Sequence, residues 1–395
     1  MEGYGIDPAP STHPLKIFDV ARKQDKFIYA CAPMVRYSKL AFRQTVHKYG
    51  TDICWTPMIL AKEFNRSSFA RDSDLTISTQ GVQPCTIVQF GANSPLELSR
   101  AASLAAPFVN GVDLNCGCPQ SWACAEQLGA ALMNQRELVR DMVVETRRRL
   151  HGDGWHVAKD KDKDSAQGRS VSVKIRVHDD LRKTMDFLDT VIGHPQDRQV
   201  DWITIHPRTR STPSTTPIRT EALEILTTKY SKILPVLLSG DIFDLSTLPF
   251  GPFASPVDQG LATLTIKDEP NGDSSHANDS TAAVPKPSNT NLSGFMSARG
   301  LLANPALFAG QSSCSWDVVE TFMCNVARCP LPLKLAVHHI QEMCGPSLGN
   351  DKSSLLSKKD RIKLTELTNM IELIGFLDDK YDEYTGRTGG LRRDL

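Results

Sequence analysis

The sequence predicts an α/β protein, a (β/α)8 TIM barrel followed by a small C-terminal helical domain. Two observations support the barrel: eight short apolar runs rich in Val, Ile and Phe, and amphipathic helical segments between several of them. The runs are continuously apolar, which is typical of strands buried on both faces of a parallel sheet. A doubly wound open sheet is the alternative, but no GxGxxG motif follows the first run, and eight strands favour the barrel.

The predicted strands are apolar runs that end abruptly at polar or turn residues. In chain order they cover residues 26–34, 51–58, 85–91, 111–119, 171–177, 201–209, 235–241 and 293–300. Helical periodicity is clearest at 134–150, 181–193 and 220–230, where apolar side chains fall on one face. Strands that alternate with helices in this way are expected to pair in parallel.

Shifts in composition predict the domain boundaries. Two polar insertions interrupt the barrel, and the second, rich in Pro, Ser, Asn and Asp, is expected to be disordered. The predicted units are an N-terminal segment at 1–25, the barrel at 26–312 with insertions at 153–170 and 251–292, a helical region at 313–378 and a polar tail at 379–395.

The composition limits the class of protein. The 45 Lys and Arg residues balance the 45 Asp and Glu residues, so any surface for nucleic acid must be a local one. No apolar stretch approaches the roughly 18 residues of a membrane helix, and the N-terminus lacks the pattern of a secretory signal. We therefore expect a monomer without a membrane partner, in the cytoplasm or alternatively in the nucleus.

Candidate functional residues lie just past the predicted strands, where barrels of this class carry their active sites. Lys, His and Arg side chains at successive strand ends would make a mouth that attracts anions, and glycines after strands seven and eight suit a phosphate group. The candidates are Pro33, Met34, Gln89, Asn115, Cys118, Lys174, Arg176, His206, Arg208, Ser239, Gly240, Asp241, Ala298, Arg299 and Gly300.

Two of the ten cysteines, Cys116 and Cys118, are one residue apart in the segment GVDLNCGCPQS. Together with Cys124 they could bind zinc. However, a Cys-x-Cys pair with a third cysteine six residues later is not the usual ligand spacing, and no second Cys/His cluster follows nearby. We therefore predict no metal site, a packing role for Cys116 and a chemical role for Cys118.

Seven short stretches resemble the tRNA-dihydrouridine synthases, flavin enzymes that reduce a uridine in the D-loop of tRNA. They are APM at 32–34, VQF at 88–90, DLNCGCP at 113–119, VKIR at 173–176, HPRT at 206–209, SGD at 239–241 and ARGLLANP at 298–305. NCGCPQS and ARGLLANPALF resemble most the eukaryotic subgroup that acts at positions 20a and 20b. The resemblance implies FMN as cofactor, NADPH or NADH as reductant, and tRNA as partner, held partly by the helical domain.

The resemblance also implies the residues that hold FMN. Pro33 and Met34 would lie along the flavin ring, and His206 would also contact it. Gln89 would bind the pyrimidine edge, and Lys174 would lie where the reduced ring gathers negative charge. The remaining cofactor residues, around the phosphate, would be Ser239, Gly240, Asp241, Ala298, Arg299 and Gly300.

In the same resemblance, Cys118 is the catalytic acid. Hydride transfer to C6 of uracil leaves an enolate that needs a proton at C5, and free thiols are mostly protonated at neutral pH. Asn115, Arg176 and Arg208 would bind the substrate, with Asn115 positioning the flipped base or the thiol.

Two other functions stay open from the sequence. The chain could be another FMN-dependent barrel oxidoreductase, an ene-reductase or a dihydropyrimidine-type enzyme, which would not need the helical domain. It could also be a tRNA-binding protein with impaired turnover, because strand eight is reduced to GFMS and the insertion separates it from strand seven.

Overall fold

The computed structural model describes residues 12–77, 83–248 and 291–391, and within them eight parallel strands form one closed barrel in sequential order. Every strand overlaps a predicted one, so the predicted TIM barrel is confirmed. The strands are β1 (Ile28–Cys31), β2 (Ile53–Leu60), β3 (Cys85–Gly91), β4 (Gly111–Cys116), β5 (Ser170–Arg176), β6 (Ile203–His206), β7 (Val236–Ser239) and β8 (Gly294–Ser297).

The short strand β8 closes the barrel. Gly294 pairs with Leu237 of β7 on one side and with Ile28 of β1 on the other. Strands β1, β6 and β7 are also four residues long, so a strand of this length is enough to pair with its neighbours in this barrel. The reduced strand eight therefore still closes the barrel. Residues 251–290 of the predicted insertion lie outside the described residues.

Helices surround the barrel and continue beyond it. The segments predicted to be helical at 134–150, 181–193 and 220–230 are helices in the structure. In the described part of the chain, no helix has the length and apolar character needed to span a membrane. The α-helices are α1 (Pro14–Lys23), α2 (Leu40–Lys48), α3 (Ala61–Arg66), α4 (Ser68–Asp74), α5 (Pro95–Ala105), α6 (Ser121–Ala125), α7 (Arg136–Gly152), α8 (Leu181–Ile192), α9 (Thr220–Tyr230), α10 (Arg299–Ala303), α11 (Trp316–Arg328), α12 (Leu333–Met343), α13 (Lys358–Lys363) and α14 (Met370–Thr385).

Helix α1, in the predicted N-terminal segment, packs against the barrel interior. Its buried Leu15, Ile17 and Phe18 share one apolar cluster with interior residues such as Trp55. The Phe18 ring lies 5.5 Å from the ring of Trp202, which is fully buried. Because α1 leads into the start of β1, this apolar packing fills the N-terminal end of the barrel and leaves the opposite end for function.

The C-terminal helices α11 to α14 form the predicted helical region, and α11 packs on α2 of the barrel. The side-chain amide of Asn325 donates a hydrogen bond to the Thr45 hydroxyl at 3.0 Å. The His339 ring lies 4.9 Å from the rings of both Phe42 and Phe322, and burial lowers the pKa of His339 to about 3. A neutral, buried histidine therefore joins the helical region to the barrel by packing.

Candidate active site

The C-terminal strand ends bring the predicted site residues to one mouth. In the sheet register Gln89 lies opposite Asp113, Asn115 opposite Lys174, and Arg176 opposite His206. Ser239 ends β7, and the other candidates follow β1, β4, β6, β7 and β8 at the same end of the barrel, because all eight strands are parallel.

The loop after β4 carries Cys118, which is partly exposed, and the side chain of Asn115 fixes the start of this loop. The Asn115 amide oxygen accepts hydrogen bonds from the backbone N–H groups of Gly117, at 3.0 Å, and Cys118, at 2.8 Å. These bonds make a turn in which a side chain replaces the backbone acceptor. Asn115 therefore sets where the Cys118 backbone lies.

A second set of contacts holds the same loop from its other side. The Arg176 guanidinium donates from Nε to the Gly117 carbonyl at 2.9 Å and from Nη1 to the Thr209 carbonyl at 2.7 Å. The N–H group of Ala130 donates to the Cys118 carbonyl at 2.8 Å. Arg176, predicted to bind substrate, thus ties the cysteine loop to the loop after β6.

Gln89 is fully buried and lies between two polar partners. Its amide nitrogen donates to Oδ2 of Asp113 at 2.7 Å, and its amide oxygen accepts from the Asn115 amide at 2.8 Å. Asp113 also accepts from the Ser172 hydroxyl at 2.6 Å. The side chain predicted to contact a cofactor is therefore also part of the scaffold beneath the mouth.

Lys174 is the second basic residue of β5 at this mouth, two residues before Arg176. Burial and the neighbouring Arg176 lower the pKa of Lys174 to about 8, while Asp113 and Cys118 act in the opposite direction. Burial raises the pKa of Asp113 to about 6, against the stabilising bonds from Gln89 and Ser172. At pH 7 the ammonium is mostly protonated, and within the described residues it has no hydrogen-bond or ion-pair partner.

His206 is a neutral histidine at neutral pH. Burial and the charges of Lys174 and nearby arginines lower the pKa of His206 to about 2. Nη1 of Arg208 lies 3.1 Å from Nε2 of His206. Because a guanidinium only donates, Nε2 is the acceptor and Nδ1 carries the proton. His206 thus offers one N–H donor without a charge.

Arg208, predicted to bind substrate, is buried, and every nitrogen of its guanidinium has a protein partner. Its Nη2 lies 2.6 Å from both carboxylate oxygens of Asp241, and its Nε donates to the Thr216 carbonyl at 2.7 Å. Asp241 also accepts from the Ile218 N–H at 3.0 Å. These contacts favour a positioning role for Arg208, in which it orders the loop after β7.

The other predicted cofactor residues lie around the rim. Arg299 is about half exposed; its guanidinium lies 5.2 Å from the Phe243 ring and 4.0 Å from an Asp241 oxygen. Gly240 has φ of +114°, and a Cβ there would come 2.8 Å from the His206 ring, so this position requires glycine. The remaining rim residues are Pro33 and Met34, which are partly exposed, Ser239 and Gly300, which are buried, and Ala298, which precedes α10.

The cysteine pair separates into two environments. Cys116 is fully buried in the main apolar core, and burial raises the pKa of its thiol well above its usual range. Cys118 lies on the loop at the mouth. Among the described residues, no group of three or more His, Cys, Asp or Glu side chains is arranged to hold a metal ion.

Three residues that hold the site were not among the sequence candidates. Asp113 and Ser172 are polar positions inside apolar strands, and that pattern could have marked them. Gly129 has φ of +60°, and a Cβ there would lie 2.6 Å from the Cys118 carbonyl oxygen. Nothing in the local sequence reveals this approach, because the two segments meet only in the folded chain.

The arrangement is suited to binding an anionic or electron-accepting group and to donating a proton. Lys174, Arg299 and the N–H of His206 provide positive charge and donors, while Cys118 provides an acidic hydrogen on an ordered loop.

Comparison with known proteins identifies a family and several similar sequences. Residues 30–250 match the family described as "Dihydrouridine synthase (Dus)". A Homo sapiens protein named tRNA-dihydrouridine(20a/20b) synthase (NAD(P)+)-like is 36% identical over 360 residues, covering 90% of this chain and 92% of that protein. The tRNA-dihydrouridine(20a/20b) synthase (NAD(P)+) of Schizosaccharomyces pombe is 32% identical over 93% of this chain and 92% of its own length. The protein of the same name from Saccharomyces cerevisiae is 34% identical over 94% and 85%, respectively.

Proposed function

The chain belongs to the dihydrouridine synthase family, and from that premise we propose that it is a tRNA-dihydrouridine synthase acting at positions 20a and 20b. It reduces the C5=C6 bond of uridine with NADPH or NADH as the source of electrons. The observation that carries the proposal is the ordered Cys118 loop beside Lys174 and His206 at a barrel mouth. A proton donor and a set of anion-binding groups at one site are what this reduction requires.

The residues at the mouth fit FMN, the cofactor of our proposal. A flavin mononucleotide carries a phosphate and a ring that becomes electron-rich on reduction. The ammonium of Lys174, which has no hydrogen-bond or ion-pair partner among the described residues, and the half-exposed Arg299 supply positive charge. When bound and reduced, FMN supplies a hydride to C6 of the uracil ring.

Within this proposal the residues at the mouth have different roles. Lys174 stabilises negative charge at the cofactor ring, and neutral His206 donates its Nδ1 hydrogen without adding to the repulsion among the cations. Gly240 permits the close approach of the loop after β7 to the His206 ring. Arg208 and Asp241 hold that loop in place.

Cys118 completes the reaction by donating its thiol hydrogen to C5, after hydride addition at C6. The product is dihydrouridine, and the thiolate regains its proton from water. Asn115 and Arg176 fix the Cys118 backbone on either side of the loop, so the sulfur is presented in one place. Because the target base must leave its stack to reach the mouth, the enzyme acts on an unpaired loop nucleotide.

The direct test maps dihydrouridine in tRNA from cells that lack this protein. We expect dihydrouridine to be lost at positions 20a and 20b and to return when the parent gene is restored. Purified protein should release FMN on denaturation and form dihydrouridine in unmodified tRNA with NADPH or NADH. A colourless protein, or unchanged dihydrouridine in the deficient cells, contradicts the proposal.

A further inference from the structure

A line of hydrogen bonds leads from the barrel interior to the cysteine loop. Ser172 and Gln89 donate to Asp113, Asn115 donates to Gln89, and the N–H groups of the loop donate to Asn115. The distances lie between 2.6 and 3.0 Å, so every contact is a well-formed hydrogen bond. We name this line the Asp113 relay; it comprises Asp113, Gln89 and Asn115.

The two ends of the relay determine the direction of every bond in it. The N–H of Cys118 can only donate, so Asn115 must face it with its amide oxygen and must turn its NH2 group towards Gln89. Gln89 then accepts from Asn115 and turns its own NH2 group towards Asp113. An ionised carboxylate only accepts, and Asp113, fully buried, completes this arrangement.

We propose that Asp113 is a positioning residue for the catalytic cysteine, acting through the amides of Gln89 and Asn115 to hold the Cys118 loop in its reactive position. This inference rests on the proposed function for the role of Cys118. The burial of a carboxylate in a barrel interior is costly, and here the structure uses it as an obligate acceptor. A buried amide without such an anchor can turn over and offer the loop its NH2 group instead.

The first experiment replaces the anchor. Asp113→Leu removes both acceptor oxygens at similar volume, and we expect Cys118 to react about tenfold faster with iodoacetamide, the equivalent of about one net hydrogen bond. Peptide mass spectrometry reports Cys118 separately, with Cys329 of the C-terminal region as internal reference. Dihydrouridine formation should fall about 100-fold, as for a displacement of about 1 Å. Parent-like values for both measurements overturn the proposal.

The conservative variant Asp113→Asn separates the effect of hydrogen-bond direction from the effect of the carboxylate charge. Asp113→Asn can keep an acceptor towards Gln89 while its NH2 group donates to Ser172, so the relay keeps its direction. We expect Cys118 alkylation within about threefold of the parent, a fraction of one hydrogen bond. Asn keeps one acceptor oxygen and Leu keeps none, so a faster alkylation of Cys118 in Asp113→Asn than in Asp113→Leu would show that loss of the acceptor is not the cause, and the positioning role would be wrong.

A double-mutant cycle tests whether the effect passes through Asn115. Asn115→Leu should accelerate Cys118 alkylation by itself, and adding Asp113→Leu should change the rate little further, because both break one path. Additive effects would contradict the relay. If Asp113→Leu does not fold, Gln89→Met, which breaks the relay in its middle, must show the same acceleration, and its absence overturns the proposal.

A matched control comes from the same interior. The Thr204 hydroxyl is buried opposite Lys174 in the register and has no hydrogen-bond partner in the described part of the chain. Thr204→Val therefore removes no contact of the relay and should leave Cys118 alkylation unchanged. Alkylation is measured without tRNA, so a parent protein that forms no dihydrouridine would contradict the proposed function while leaving the relay testable.

Discussion

Gly129 offers a way to displace the Cys118 loop without a substitution in the loop itself. Its φ of +60° is disfavoured for alanine, and a Cβ would lie 2.6 Å from the Cys118 carbonyl oxygen and 2.8 Å from the Cys118 Cβ. The conformational strain costs about 1–2 kcal/mol. Overpacking against a loop that is already held by hydrogen bonds costs about 1–3 kcal/mol more. We therefore expect Gly129→Ala to lower the free energy of unfolding by about 2–5 kcal/mol.

Gly154 supplies the matched control. It has φ of +90°, and a Cβ there would meet nothing within 4 Å. Gly154→Ala should therefore show only the conformational cost of about 1–2 kcal/mol. The difference between the two variants isolates the contact with the cysteine loop.

The assay combines urea unfolding, followed by circular dichroism, with two activity measurements. In Gly129→Ala, reduction of FMN by NADPH should stay within about twofold of the parent. Dihydrouridine formation should fall by about 10- to 100-fold, because the thiol is displaced from its reactive position. Equal unfolding free energies and equal turnover in the two glycine variants would refute this reasoning.

Three further predictions concern single groups. Cys118→Ala should keep FMN absorbance and NADPH oxidation but form no dihydrouridine, since only protonation at C5 is lost; formation at the parent rate contradicts this role. The affinity of the apoprotein for FMN, measured by fluorescence quenching, should weaken as the pH rises through about 8, because the lowered pKa of Lys174 lets the ammonium lose its proton there. Lys174→Met should bind FMN weakly, and its affinity should not depend on pH in this range. An equal pH dependence in the variant would contradict a role for the Lys174 ammonium in FMN binding. Arg208→Met should lower the free energy of unfolding by about 3 kcal/mol, because Asp241 loses its buried partner. The substitution Arg210→Met, at an exposed residue, serves as control and should change the free energy of unfolding by less than about 0.5 kcal/mol. Similar values for both variants would show that the ion pair between Arg208 and Asp241 does not stabilise the fold.

The sequence predicts the barrel well for a physical reason. Strands buried on both faces must be apolar throughout, and the helices that cover them must carry one apolar face. Both patterns are local and can be recognised in the sequence. Even the four-residue β8 lies within a predicted strand, at 293–300. The sequence predicts that the helical region ends at 378, whereas helix α14 continues to Thr385.

The chemistry-bearing residues were also accessible, because the ends of parallel strands converge at one mouth. The sequence therefore predicts that Cys118, Lys174 and His206 lie close together. The same reasoning could not tell which of two neighbouring polar side chains faces the mouth. Arg208 illustrates the limit: its position after β6 predicts a substrate contact, whereas the fold turns its guanidinium to Asp241, 33 residues away in the chain.

By itself, then, the sequence determined the architecture of this protein and its family, and it indicated Cys118 as the candidate thiol. Only the tertiary structure decided how that thiol is held. Asp113 bonds to Gln89 and Gln89 bonds to Asn115, and the direction of these hydrogen bonds depends on register and on which oxygen or nitrogen is turned inward. Gly129 packs closely against the Cys118 loop from another segment. No local pattern carries that information, because it arises when distant strands become neighbours in the closed barrel.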